Sequence, residues 1–229
     1  MKLSPRLQAI ADLVPENKKI IDVGTDHGYI PVYLVENNIS RDIIASDINE
    51  GPLESAKKYV QKKKFEKYID IRLGSGLKVI EKDEVNMAII AGMGGVLIED
   101  ILKDSFHVAE SIDTFIFQPM VASIDLRKYL YENGFKIIEE KLAQEEDRIY
   151  EIIVASHGKT DLEDTLYLEI GKKLIENKDP LLEKFLEKRL KILEKILIDL
   201  EGKKSYRANK KYKEVMNRYK RIEGVKNLL

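Results

Sequence analysis

From Ile20 to Leu34 the chain reads IIDVGTDHGYIPVYL. A run of apolar, mostly β-branched residues stops at an acid and a glycine, polar residues crowd a second glycine, and an apolar pattern with helical spacing follows. Apolar runs rich in Ile and Val alternate with helical patterns in this way up to about residue 158. The runs predict strands at Lys19 to Gly24, Asp42 to Ile48, Ile69 to Gly74, Val85 to Gly92, Thr114 to Pro119, Lys136 to Leu142 and Ile149 to Ser156. Ser4 is placed to cap a first helix with Pro5 at its first position, and later helices are predicted at Tyr29 to Asn37, Glu50 to Lys64, Val96 to Lys103 and Ile124 to Asn133. Five strands separated by such connections make a parallel sheet. The last two lack room for a crossover helix and should pair as an antiparallel hairpin.

Beyond Gly158 the strand signals stop. Leu166, Ile170 and Leu174 form a helical stripe, Pro180 is expected to start a new helix, and Leu186, Leu190, Leu193, Leu197 and Leu200 recur at spacings of four and three. Tyr212, Val215, Tyr219 and Ile222 continue the pattern past Gly202. Each run is short, so an antiparallel bundle within the chain is favoured over an intermolecular coiled coil. The expected division is an α/β domain over residues 1–158 and a helical domain over 159–229.

A chain of 229 residues with 44% apolar and 34% charged side chains has enough material for one full core and a smaller appendage. No apolar run approaches the length of a bilayer span. The opening MKLSPRLQAIADLV lacks the apolar core and small-residue cleavage site of a signal peptide, which leads to the expectation of a cytoplasmic protein. The absence of cysteine excludes disulfides, thiolate metal sites and a cysteine nucleophile. Of the three imidazoles, His27 sits in the glycine-rich stretch, while His107 and His157 have no motif around them and are expected at the surface. The net charge of -1 hides an asymmetry: residues 1–158 carry 20 basic and 27 acidic side chains, 159–201 carry 9 and 11, and 202–229 carry 10 and 2. A basic tail on an acidic body can steer a polyanion.

The turn after the first strand, Gly24-Thr25-Asp26-His27-Gly28, lets a ligand approach the backbone at the strand's carboxyl end. By itself such a turn is also common for steric reasons. The second strand ends near Asp47, 23 residues after Gly24, where a carboxylate can accept hydrogen bonds from a ribose diol. The third ends in Leu73-Gly74-Ser75-Gly76 and the fourth in Ala91-Gly92-Met93-Gly94-Gly95, so glycines recur along one crevice. A dinucleotide fold needs its middle glycine where this chain has Asp26, and that carboxylate would repel a pyrophosphate. The sulfonium and amino group of S-adenosylmethionine carry no such penalty, and Asp22 and Asp26 suit them.

The segments DVGTDHGYIP, SDIN, RLGSGL, AGMGG, FQPM and RIYEI, in this order and spacing, resemble the bacterial tRNA (adenine-N1)-methyltransferase family that modifies adenosine 22 in the tRNA D-arm. The likeness extends over essentially the whole chain. It implies a class I S-adenosylmethionine-dependent methyltransferase, an α/β Rossmann-like seven-stranded sheet with a C-terminal α-helical coiled-coil-like domain, S-adenosyl-L-methionine as cofactor and tRNA as substrate. It also implies a cofactor site made by Asp22, Gly24, Asp26, His27, Gly28, Tyr29, Asp47, Ile48, Gly74, Ser75, Gly76 and Ala91, with Arg6 reaching in from the first helix.

Adenine N1 carries its own lone pair, so methyl transfer to it calls for alignment rather than a general base. The chain accordingly shows no nucleophile or dyad, and it lacks the Asn/Asp-Pro-Pro-aromatic loop that receives the exocyclic amine in N6-adenine enzymes. The corresponding place holds Gly92-Met93-Gly94-Gly95, whose bare backbone is expected to admit the base edge, while Gln118 is a candidate to hydrogen-bond the adenine. Because N1 lies on the Watson-Crick edge, a paired adenine must first be extracted, which demands a grip on RNA elsewhere. Lys203, Lys204, Arg207, Lys210 and Lys211 are the first candidates, followed by Lys213, Arg218, Lys220 and Arg221. Tyr206, Tyr212 and Tyr219, interleaved with these cations, are candidates for stacking, but their expected place is the helical core. No metal is expected, no membrane contact either, and the chain is expected to be a monomer. Two other classes compete: a methyltransferase of another RNA or a small molecule, which would keep the crevice without needing the tail, and a nonenzymatic RNA-binding adaptor, which would keep the tail alone.

Overall fold

A computed structural model describes residues 2–203 and 205–229, which form two compact units, one ending at Asp161 and the other spanning Leu162–Leu229. In the first, seven strands form one sheet: β1 (Lys19–Val23), β2 (Asp42–Asp47), β3 (Ile69–Leu73), β4 (Met87–Gly94), β5 (Thr114–Val121), β6 (Phe135–Glu145) and β7 (Arg148–His157). Their order is β3-β2-β1-β4-β5-β7-β6. The first five are mutually parallel, and β7 lies antiparallel between β5 and β6. β6 and β7 run longer than the apolar pattern indicates, because pairing continues to Glu145 and Arg148 at the hairpin turn, with a bulge between Ile137 and Glu139.

Helices α1 (Pro5–Ala11), α2 (Tyr29–Glu36), α3 (Glu50–Lys63), α4 (Gly95–Asp104), α5 (Phe106–Ala109) and α6 (Ser123–Glu132) cover the sheet. Alternation along each strand sends one residue to each face. Ile20, Ile43, Ile89 and Ile116 pack with Ile10, Val32 and Val60 on one side. Ile21, Ile44, Ala88 and Phe117 pack with Ile98, Leu102, Leu126 and Leu130 on the other. The strand order reverses between β1 and β4, so their helices leave to opposite faces and a crevice opens at the carboxyl ends.

Ser4 stands at the N-cap position of α1, but its hydroxyl makes no cap bond. It donates instead to Glu145 Oε2 at 2.9 Å. A contact across 141 positions outcompetes the local one, and it helps fix α1 against β6.

The second unit contains α7 (Leu166–Ile170), α8 (Lys172–Glu176), α9 (Leu182–Leu200) and α10 (Tyr206–Lys226). Leu166, Ile170 and Leu174 are buried as their stripe predicts. Pro180 lies two residues ahead of α9, in a turn where the Asp179 carboxylate accepts from Leu181 N at 2.8 Å. The two long helices run antiparallel within one chain. Leu186, Leu190, Leu193 and Leu197 of α9 and Ala208, Val215 and Ile222 of α10 are buried, while Tyr219 Oη donates to Glu194 at 3.0 Å and Lys226 to Glu187 at 2.7 Å. The tyrosines do not form the core expected of them: Tyr206 is 83% exposed, and Tyr212 and Tyr219 are only half-buried. The buried seam of α10 follows a seven-residue step through smaller side chains, which lets the helices approach closely.

Candidate active site

The crevice is shaped by the turn after β1. Gly24 N and Thr25 N both donate to Ser46 O at 2.8 Å, which locks the turn onto β2. Gly24 adopts φ +72°, which strains any other residue, and a Cβ there would come within 2.4 Å of Met93 Cε, so the end of that side chain would have to move. Gly28, at φ +69°, caps α2, which starts at once with Tyr29. The result is a cavity of about 290 Å³ lined by Arg6, Leu7, Asp22, Gly24, Thr25, Asp26, Tyr29, Ile30, Ala91 and Gly92.

Its electrostatics are dominated by carboxylates. Asp22, 4% exposed, has its pKa pushed up to about 6 by burial; the nearby Thr25 hydroxyl opposes the rise and the charge of Asp47 adds to it. The Thr25 hydroxyl is buried and stands close to Asp22 without a hydrogen bond of ordinary geometry. Asp47 accepts from Asn49 N at 2.9 Å and, at a long 3.4 Å, from Asp26 N. The end of β2 thereby holds the turn that carries Asp26. Gly74 N donates to Asp47 O at 3.0 Å and brings the end of β3 to the same place.

The opposite wall comes from β4, β5 and α1. Gly92 takes φ +77°, and a Cβ built on it would lie 3.7 Å from an Arg6 nitrogen. The pairing of β4 with β5 slips at Ala91/Met93 and again at Met93/Gly94. A Cβ on Gly95 would stand 2.1 Å from Ala122 O, so two backbones touch there. Arg6 donates from Nη1 to Gln118 Oε1 at 2.7 Å, approaches Glu145 at 3.9 Å and lies over the Tyr150 ring at 5.5 Å. Gln118 is 0% exposed, and its amide nitrogen is given to Pro119 O at 3.0 Å. The expectation that Gln118 meets a base directly is therefore corrected: both ends of its amide are engaged, and it holds Arg6, which itself lines the cavity. Behind this wall Arg127, fully buried, pairs with Glu140 at 2.7 Å and Glu151 at 2.8 Å. Burial alone would lower its pKa, but the two glutamates more than offset this and keep the guanidinium charged. The Ser123 hydroxyl donates to the same Glu151 at 2.8 Å.

Of the residues singled out in the sequence, Arg6, Asp22, Gly24, Asp26, Tyr29, Ala91 and Gly92 line the cavity. Asp47 and Gly28 build its turn. His27 is half-exposed, 3.6 Å from the Asp26 carboxylate and with its ring centroid 5.3 Å from that of Tyr29. Ile48 is 65% exposed at the end of β2. Gly74, Ser75 and Gly76 lie outside the cavity wall; the Cα-H directions of Gly74 and Gly76 face Val79 and Ile101. Met93 covers Gly24, and Gly94 opens α4. Leu7, Thr25, Ile30, Glu145 and Tyr150 escaped the sequence reading. Thr25 and Ile30 lie inside DVGTDHGYIP and Tyr150 inside RIYEI, whereas Leu7 and Glu145 stand outside every segment that carries the family resemblance.

In the helical unit Lys203, Arg207, Lys210 and Lys211 are exposed. Lys204 lies outside the described residues. Lys211 sits 3.7 Å from Glu214. Arg218 donates to both oxygens of Glu169, at 2.7 and 3.0 Å, and Arg221 pairs with Asp164. Those two arginines hold the helical unit together and are not free cations of the tail.

Residues 3–153 match the family model described as a methyltransferase domain. The tRNA (adenine(22)-N(1))-methyltransferase of Bacillus subtilis (strain 168) is 38% identical over 161 residues, which cover 70% of this chain and 68% of that protein. Among solved structures, the B. subtilis M1A22 tRNA methyltransferase TrmK superposes with a TM-score of 0.88 at 31% identity, covering 98% of each chain. TrmK of M. capricolum, in complex with its cofactor product S-adenosyl-homocysteine, gives 0.84 at 32% identity and covers 99% of each chain. The cavity fits the cationic donor of such enzymes: its buried and turn carboxylates favour a sulfonium and an ammonium group, and its glycines leave the backbone bare where a ligand must come close.

Proposed function

Because this chain belongs to the tRNA (adenine(22)-N(1))-methyltransferase family, we propose that it transfers a methyl group from S-adenosyl-L-methionine to N1 of adenosine 22 in tRNA. The observation that carries this reading is the crevice itself, with Asp22 and Asp26 in its wall and the glycine-lined end of β4 on the opposite side. When bound, the cofactor supplies a methyl group made electrophilic by its sulfonium. The chain's residues do the rest by placement. Asp22 and Asp26 provide negative potential, Asp47 offers acceptors at the end of β2, and Arg6 is the cation that can meet the carboxylate of the cofactor's amino-acid portion. Gln118 and Glu145 hold the Arg6 guanidinium in position.

The acceptor nitrogen has its own lone pair, so the site must align it with the methyl and exclude competing water. Gly92, Met93 and Gly94 supply a low wall at which a base edge can arrive. None of these groups is asked to remove a proton before attack, which agrees with the lack of a dyad in the cavity. The basic C-terminal helix supplies the grip on tRNA, the substrate that also makes the cytoplasm the expected location.

The test is to incubate the purified protein with S-adenosylmethionine and a tRNA transcript, digest the RNA and map methylated nucleosides by mass spectrometry. One 1-methyladenosine at position 22, absent from a transcript with guanosine there, is the expected result. Methylation elsewhere, or none with intact cofactor binding, would overturn the assignment.

A further inference from the structure

Beyond Lys211, the cations of α10 fall into two sets. On the side facing α7 and α9, Arg218, Arg221 and Lys226 are held by Glu169, Asp164 and Glu187. On the outer side, Lys213 and Lys220 have no ion pair among the described residues, and they flank a shallow groove of about 230 Å³ lined by Tyr212, Lys213, Met216, Asn217 and Lys220. These positions share one helix face, and Met216 stands about 100° round the axis from the buried Val215. The two acids of α10, Glu214 and Glu223, do not line the groove. A thioether and a carboxamide thus lie between two cations about 10 Å apart along the helix axis, with a half-buried tyrosine ring one position before the first of them.

We infer that this groove seats one unstacked nucleotide of the RNA substrate, its base against Tyr212 and Met216 and its flanking phosphates at Lys213 and Lys220. The inference rests on the proposed tRNA substrate and deepens it. A solvated helix face needs no apolar floor, and a helix-packing face does not surround such a floor with uncompensated cations. Charge complementarity with a polyanion supplies the occupant, and a planar base supplies the contact for ring and thioether. Asn217 offers both a donor and an acceptor to the base edge. The groove is separate from the more N-terminal cations Lys203, Arg207, Lys210 and Lys211. It adds a site that can hold a displaced nucleotide, where a uniform basic surface would only attract phosphate.

The experiment uses the full chain and measures tRNA binding between 50 and 300 mM salt, with S-adenosyl-homocysteine affinity as the check that the first unit is intact. Lys213→Gln/Lys220→Gln should weaken tRNA binding about tenfold near physiological salt and make the log-log salt slope shallower by about 1.4, the value for two contacts to a single strand. Tyr212→Leu should weaken it about fivefold and leave the slope unchanged, the signature of lost stacking. The control pair Lys57→Gln/Lys82→Gln, on the first unit, should do neither. Wild-type affinity and slope in both groove variants would overturn the inference, and if the wild type still methylates position 22 the proposed function stands without it. Failure of the wild type to bind tRNA would remove both. Loss of a dimer in the groove variants, at unchanged tRNA affinity, would reassign the groove to contact between copies and also overturn the inference.

Discussion

Replacing Asp22 by asparagine separates what the site costs the fold from what it gives the ligand. The folded carboxyl titrates near 6 against an ordinary 3.8, mainly because burial disfavours its charge. That difference corresponds to about 3 kcal/mol. The native state holds this proton more tightly than the unfolded chain, so this group destabilises the protein as pH rises from about 4 to 6 and imposes its full cost above that range. Asp22→Asn removes the cost while keeping the shape. The apo variant should be more stable than wild type by up to about 3 kcal/mol at pH 7.5, by roughly half that at pH 5 and by about 0.5 kcal/mol at pH 4. Urea unfolding of both proteins at the three pH values checks this, because titrating groups that do not interact with Asp22 cancel in the difference. In the same variant S-adenosylmethionine should bind more weakly at pH 7.5 by calorimetry, since the cation loses a buried counter-charge. A variant no more stable than wild type at pH 7.5, or a stability gap that does not change with pH, would refute the reasoning.

Asp47→Ala should weaken cofactor binding by about 1.5–3 kcal/mol, the range for hydrogen bonds to a charged group, and unchanged calorimetric affinity would remove Asp47 from the site. Gly95→Ala forces a methyl against the Ala122 carbonyl, so the segment after β5 must move; thermal unfolding should show a loss of about 1–3 kcal/mol, with slower tRNA methylation. Arg127→Met leaves Glu140 and Glu151 buried without their counter-ion and should cost about 3–5 kcal/mol in denaturant unfolding. Arg127→Met/Glu140→Leu/Glu151→Leu should recover most of that loss, because the desolvation cost of all three charges goes with them.

The amino-acid sequence alone determined the elements and their order. Alternating runs marked all seven strands, helical stripes marked the connections, and the missing crossover between the last two strands required their antiparallel pairing. It also identified the turn at Gly24 and the acids at Asp22, Asp26 and Asp47, because a strand end followed by glycine and a helix is a local pattern whose ligand-facing side is set by strand polarity. What it left open depends on which distant segments meet. Gln118 looked like a polar residue at a strand end and proved to be a fully buried support for Arg6, 112 positions away. Ser4 looked like a cap and bonds Glu145. The basic tail read as one uniform cluster, yet Arg218 and Arg221 are held by Glu169 and Asp164 and Lys213 and Lys220 are not. Charge counts along a chain carry no information about pairing across 49 or 57 residues. Periodicity fixes which face of an element is apolar, and only packing decides which polar groups are brought within hydrogen-bonding distance and which are left to face solvent.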